Sequence, residues 1–201
     1  MEQKESGTGR FTVEEYFAME EQSPVRHEYF EGQVFAMAGG TKAHNLIKGN
    51  LIEYMRPALR KHGCQLFDEA VKLATVDAGD KSRYTYPDIM VSCDPADRQD
   101  PQVVRQPILI IEVLSPSTAE YDRSLKFLEY QKLSSLQHYL LVSQTKWLIE
   151  WYRCEERGWF LTILAHREDV LQISDLHIEV SLAQIYEDTD VAPLQVETRN
   201  N

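Results

Sequence analysis

The sequence has no run of eighteen or more apolar residues, no CxxC pair, no internal repeat and no low-complexity tract. Without such a run no helix can span a membrane. The opening MEQKESGTGR also lacks the apolar core of a signal peptide, so the expectation is a cytoplasmic protein with no membrane partner. The three cysteines Cys64, Cys93 and Cys154 are odd in number and far apart, which argues against a disulfide framework or a structural zinc. They are expected as reduced, mostly buried thiols. Positive charge is scarce: 21 Lys and Arg face 32 Asp and Glu, a formal net charge of -11. Such a surface repels phosphate backbones unless cations gather locally. Lys42, Lys48, Arg56, Arg60 and Lys61 share one stretch, which reads either as a cationic strip or as a solvated helix face.

What is present is enough apolar material for a core, 43% of 201 residues, and it fits one domain better than two. The boundaries expected are a disordered leader over 1–10, a domain over 11–187 and a flexible tail over 188–201. Thr12-Val13-Glu14-Glu15 predicts a capped short helix closed by Pro24. A hairpin turning at Gly32 follows, with strands His27-Glu28-Tyr29-Phe30 and Gln33 to Met37. Thr41 caps the longest helix, in which Ile47, Leu51, Met55 and Leu59 recur every four residues until Gly63 and Pro57 marks a kink. Cys64 to Thr75 is strand-like, and Asp77 to Lys81 is a polar loop. Tyr86 to Cys93 reads as a strand, Asp94 to Asp100 as a loop, and Pro107 to Leu114 as a central strand covered on both faces. Asp122 to Leu133 predicts a helix carrying Leu125, Phe127, Leu128 and Tyr130. Short strands then run at Tyr139–Val142, Trp147–Tyr152, Trp159–Ile163, Val170–Ile173 and His177–Val180, with a last short helix after Ser181. The fold class expected is α/β, a mixed sheet with helices on its faces.

One charge interrupts the central strand. Glu112 shares a face with Ile108, Ile110 and Leu114, and an ionised carboxylate there must neutralise, pair with a cation or bind a metal. Asp88 opens another apolar strand. If the two strands are neighbours the two acids converge, and an oxygen-rich pair of this kind suits magnesium or manganese. A core salt bridge explains Glu112 alone about as well. Lys126 and Tyr130 lie four apart on one helix face, from which Lys126 can reach the strand ends; alternatively it is a surface lysine. Ser117 and Thr118 invite a nucleophile reading, but Ser117-x-x-Glu120 fits a capping box and no histidine is near in sequence. A glycosidase-type acid pair ranks third.

His27-Glu28-Tyr29-Phe30-Glu31-Gly32, Ala43-His44-Asn45, Tyr86-Pro87-Asp88-Ile89, Ile111-Glu112-Val113-Leu114-Ser115-Pro116-Ser117-Thr118, Asp122-Arg123 with Lys126, and Tyr130 form an ordered set between Phe11 and about Ile163. In this the sequence resembles the Uma-two family of restriction-endonuclease-like proteins, within the PD-(D/E)XK nuclease superfamily. The resemblance implies a restriction-endonuclease-like core, a catalytic metal (Mg2+ or Mn2+) held by Asp88, Glu112 and the Val113 carbonyl, and a lysine assisting a water. The superfamily pattern puts that lysine two residues after Glu112, where this chain has Leu114; in this family it maps onto Lys126. Glu28, His44, Lys72 and Tyr130 are possible accessory residues. Glu28 is equally a hairpin acid balanced by Arg26 or Lys72, His44 reads slightly better as packing, and Lys72 as a solvated strand charge. The function expected is a metal-dependent endonuclease-like phosphodiesterase acting on nucleic acid, DNA ahead of RNA, as a homodimer. The alternative is a catalytically inactive nuclease-fold module for binding or dimerisation, which the acidic charge and Leu114 favour.

Overall fold

The computed structural model describes residues 10–37, 39–76, 82–116 and 118–194. Local chemistry starts the first elements. Helix α1 (Val13–Gln22) is capped by Thr12, whose hydroxyl accepts from the Glu15 amide while the Glu15 carboxylate accepts from the Thr12 amide. Strands β1 (His27–Phe30) and β2 (Gln33–Ala36) are joined by Glu31-Gly32, both at positive φ, the two-residue turn whose twist suits a hairpin. A Cβ on Gly32 would fall 2.7 Å from that of Arg10, so the position admits only glycine. Helix α2 (Lys42–Lys61) buries the predicted stripe of Ile47, Leu51, Met55 and Leu59 and contains Pro57.

Strands β3 (Gln65–Asp68), β4 (Lys72–Val76), β5 (Ser82–Thr85), β6 (Ile89–Ser92), β7 (Val103–Val104) and β8 (Pro107–Leu114) follow. Next, α3 (Ala119–Tyr121), a π-helical turn (Asp122–Lys126) and α4 (Phe127–Tyr130) run on as one helical segment. The chain ends with β9 (His138–Ser143), β10 (Ile149–Glu155), β11 (Gly158–Leu164), β12 (Val170–Ile173), β13 (Ile178–Ser181) and α5 (Leu182–Ile185).

The largest sheet has the order β11-β10-β9-β8-β6-β3, with β8 and β9 parallel and the other pairs antiparallel. One face packs on α2, β12–β13 and α5 through Leu51, Ile111, Val142 and Val180; the other packs on the 119–130 segment through Ile110, Leu114 and Tyr130. This is the predicted mixed sheet with helices on its faces, and it explains the unbroken apolar run of β8. A second sheet, β2-β1-β5-β4-β7, carries α1 against Tyr29 and Tyr84. Among the described residues no helix is long and apolar enough to cross a membrane.

Several local expectations change. Cys64 and Cys93 are joined by a disulfide, because the β3–β6 pairing sets their Cα atoms 4.1 Å apart, and Cys154 is exposed rather than buried. Strands β5 and β7 lie where none was expected. A 3-10 turn, Pro95–Arg98, occupies the expected loop, where buried Asp97 accepts from the Ser92 hydroxyl and the Arg105 and Gln106 amides. The expected helix Asp122–Leu133 lies earlier, over 119–130, and its π-turn leaves Leu125 and Leu128 facing out. Of the segment read as tail from Asp188, the described residues 188–194 stay on the body through Pro193, which bridges Trp147, and the rest lies outside the described residues. The loop Asp77–Lys81, most of the leader, and Ser117 with its capping box lie outside the described residues.

Candidate active site

Strands β6 and β8 are neighbours, so the two predicted acids do meet. Asp88 stands at the entry of β6, directly after Pro87 and before the first strand residue Ile89. Its Oδ2 accepts from the Val113 amide of β8 at 2.7 Å and lies 3.1 Å from His44 Nε2 of α2. Its amide in turn donates to Glu112 Oε2, a long contact of 3.3 Å. Glu112 Oε1 accepts from Lys126 Nζ and from the Tyr130 hydroxyl, both at 3.1 Å. Each carboxylate thus has one oxygen firmly tied. The other is free or weakly held: Asp88 Oδ1 makes no hydrogen bond among the described residues, and Glu112 Oε2 has only the long amide contact.

Lys126 is the hub of the charge cluster. Its ammonium lies 3.1 Å from Glu28 Oε1 of β1 and 3.6 Å from Asp122 Oδ1, besides Glu112. The π-turn brings Asp122, Lys126 and Tyr130 to one inward face, a distortion that recurs at functional sites. Leu114, on the same strand face as Glu112, is packed beneath Tyr130. Lys126 therefore descends from the helix onto the face that a lysine at position 114 would have used.

The electrostatics are short of positive charge. Four carboxyl groups, Glu28, Asp88, Glu112 and Asp122, surround one ammonium and one imidazole. Glu112 is 4% exposed, and its burial, reinforced by Asp122, Asp88 and Glu28, pushes its pKa up to about 8 against the pull of Lys126. Burial likewise raises Asp122. For Lys126, burial favours the neutral amine, but Glu112, Tyr130, Glu28 and Asp122 together outweigh it and hold the group well above the ordinary lysine value. We take Lys126 as charged and Glu112 as the group that retains a proton.

These residues open onto a groove of about 1460 Å³. His44, read slightly better as packing, is at the site, placed by the α2 cap: Thr41 accepts from the His44 amide and bonds Gln144, which also donates to the Leu114 carbonyl. Glu28 is balanced by Lys126 rather than by Arg26 or Lys72. Lys72 lines the same groove apart from the carboxylates, over the rings of Phe17 and Tyr86 at 5.1 and 5.4 Å. Burial lowers its pKa while Glu20 opposes that shift. Of the cationic stretch only Lys48 reaches the groove, and it is bonded to Glu69. Asp122 was missed as a site residue; its spacing of four from Lys126 was the available signal. Among the described residues no group of three or more His, Cys, Asp or Glu is arranged to hold a metal.

A family model described as "Putative restriction endonuclease", Uma2, matches residues 13–184. Two Synechocystis proteins are similar over most of their length. "Uncharacterized protein slr1290" is 37% identical over 177 residues, 88% of this chain and 92% of its own. "Uncharacterized protein sll1609" is 31% identical over 170 residues, 83% and 94% respectively. A crystal structure titled "putative nuclease belonging to DUF820", from Anabaena variabilis, superposes with a TM-score of 0.71 at 16% identity, covering 88% of this chain and 97% of that one. At that identity the likeness is one of fold.

Proposed function

The chain belongs to the Uma2 family of restriction-endonuclease-like proteins, and from that we propose that its groove hydrolyses phosphodiester bonds of nucleic acid, DNA ahead of RNA, with a divalent cation. The observation that carries the proposal is the surplus of carboxylates at the groove floor over the charge of Lys126. Chemically the donors fit Mg2+ or Mn2+: hard oxygens only, with Asp88 Oδ1 and Glu112 Oε2 uncommitted or weakly held. Asp88, Glu112 and the Val113 carbonyl would hold the ion. When bound it would supply Lewis acidity toward the phosphodiester and positive charge to offset the negative charge developing in the transition state.

The protein's own groups do the positioning. Lys126 and Tyr130 fix the rotamer of Glu112 by binding Oε1, and the Val113 amide and His44 fix Asp88. The Lys126 ammonium stands ready to offset charge on a non-bridging phosphate oxygen or an attacking hydroxide. Lys72, farther along the groove, serves as a contact for a neighbouring phosphate. Cutting both strands of a duplex calls for two sites, so the working form is proposed as a homodimer.

The test is cleavage of plasmid and single-stranded DNA by purified protein with Mg2+ or Mn2+, with Asp88→Asn and Glu112→Gln as controls of matching shape. Metal-dependent cleavage lost in both variants is expected, by about a hundredfold or more for a displaced catalytic charge. No cleavage, or equal cleavage by folded variants, rejects catalysis. The net charge of -11 favours a second reading, a nuclease-fold module that binds or dimerises without turnover. DNA binding without cleavage would select it.

A further inference from the structure

Strand β11 is the outer strand of the large sheet. Such edges are natural templates for pairing, and proteins usually guard them with charges, prolines, bulges or brevity. This one has none of those. Gly158-Trp159-Phe160-Leu161-Thr162-Ile163-Leu164 is seven residues long, uncharged and proline-free, and pairs with β10 in continuous register. Leu161 and Ile163 are 50% and 49% exposed.

Register assigns the faces. Leu161 stands opposite Tyr152 and Ile163 opposite Glu150, so both share the face covered by the helical segment, where Phe127 packs on Tyr152 and Trp159 and Arg123 pairs with Glu150. The same segment turns Leu125 and Leu128 outward, each 57% exposed. The apolar character of the edge thus continues onto the neighbouring helix.

We propose that β11 is the interface between two copies of this chain, paired antiparallel across a two-fold axis at Leu161, so that the two large sheets become one. An antiparallel edge is self-complementary across a two-fold by construction. Centring it on Leu161 sets Leu161 against Leu161 and Trp159 against Ile163 on the helix face, and Phe160 against Thr162 on the other. No apolar side chain is then matched to a charge. Just beyond the strand, Arg157 of one copy comes against Ala165 of the other and Glu156 against His166, so no like charges are set directly opposite each other. Two other edges suit the role less: β3 ends in Asp68, and β2 contains Phe35 and Ala36, which line the groove. Two strands, β9 and β10, separate β11 from β8, so the groove stays open. The proposal rests on the homodimer reading and not on catalysis.

Sedimentation of the full chain over a range of concentrations tests it. The wild type is expected to sediment at twice the chain mass, Leu161→Lys as a monomer with unchanged circular dichroism, and Leu161→Val as a dimer. Phe160→Glu and Thr162→Lys, directly opposed across the two-fold, should each weaken the dimer at least severalfold, and the two together should restore it. A wild-type monomer at every concentration, a dimer indifferent to Leu161→Lys, or a double variant that stays weak overturns the proposal. DNA cleavage is read on the same samples; its absence in a β11 dimer counts against the nuclease reading alone.

Discussion

Glu112 is where the sequence and the structure bear most directly on each other. A carboxyl in an apolar central strand demanded a partner, and Lys126 and Tyr130 supply it on one oxygen only. Its folded pKa of about 8 stands above the ordinary 4.5. The folded state therefore holds a proton that the unfolded chain releases, and the associated stability is full below about pH 4.5 and lost as pH rises through about 8. In metal-free protein the unfolding free energy of wild type, minus that of Glu112→Gln, should fall across this window; a flat difference in urea titrations would refute the assignment. Lys126→Met removes the one ammonium from a buried acid cluster and should cost about 3–5 kcal/mol, more at pH 8 than at pH 5. Equal losses at both values would mean that Glu112 is not the proton holder. Glu112 stood out because charge in an apolar pattern needs an explanation; Asp88 drew most of its weight from partnership with it and from the family resemblance, and Lys126 was assigned through that resemblance. His44 and Glu28 were not settled, because only tertiary packing says which side of α2 or the hairpin meets β6 and the helical segment.

Among the elements, β8 and α2 were readable from pattern alone, the one as an unbroken apolar run and the other as a stripe at helical spacing. The 119–130 segment was not. Its π-turn is an extra residue in a helix, invisible to a periodicity argument, and it decides that Lys126 points in while Leu125 and Leu128 point out. The two-residue strand β7 is held by its parallel pairing with β4 and carries no period of its own. The Cys64–Cys93 bond depends on the register of β3 against β6, which no spacing rule supplies. The start of α2 offers an element-scale test. Thr41→Ala removes both the cap on His44 and the bond to Gln144, and should lower stability by about 1 kcal/mol. It should also loosen His44 from Asp88, seen as a shift of the His44 imidazole resonances toward those of a free side chain. Unchanged resonances would show that the cap does not position the ring.

At the scale of the whole molecule, a net charge of -11 has to be reconciled with the polyanionic substrate proposed for the groove. Of the cations that line the groove, Lys48 and Lys126 are paired with acids, whereas Lys72 lies over the rings of Phe17 and Tyr86. Lys72→Gln should weaken DNA binding uniformly across sequences and reduce the slope of log K against log salt by about one. An unchanged slope would remove Lys72 from the phosphate path. Everything else about the function follows from whether Asp88 and Glu112 together hold one divalent ion. Calorimetric titration of Mn2+ into the metal-free protein near pH 7 measures this directly. The account predicts one ion per chain, proton release from Glu112 on binding, and loss of binding in both Asp88→Asn and Glu112→Gln. Absence of binding, or binding that either variant retains, would contradict it.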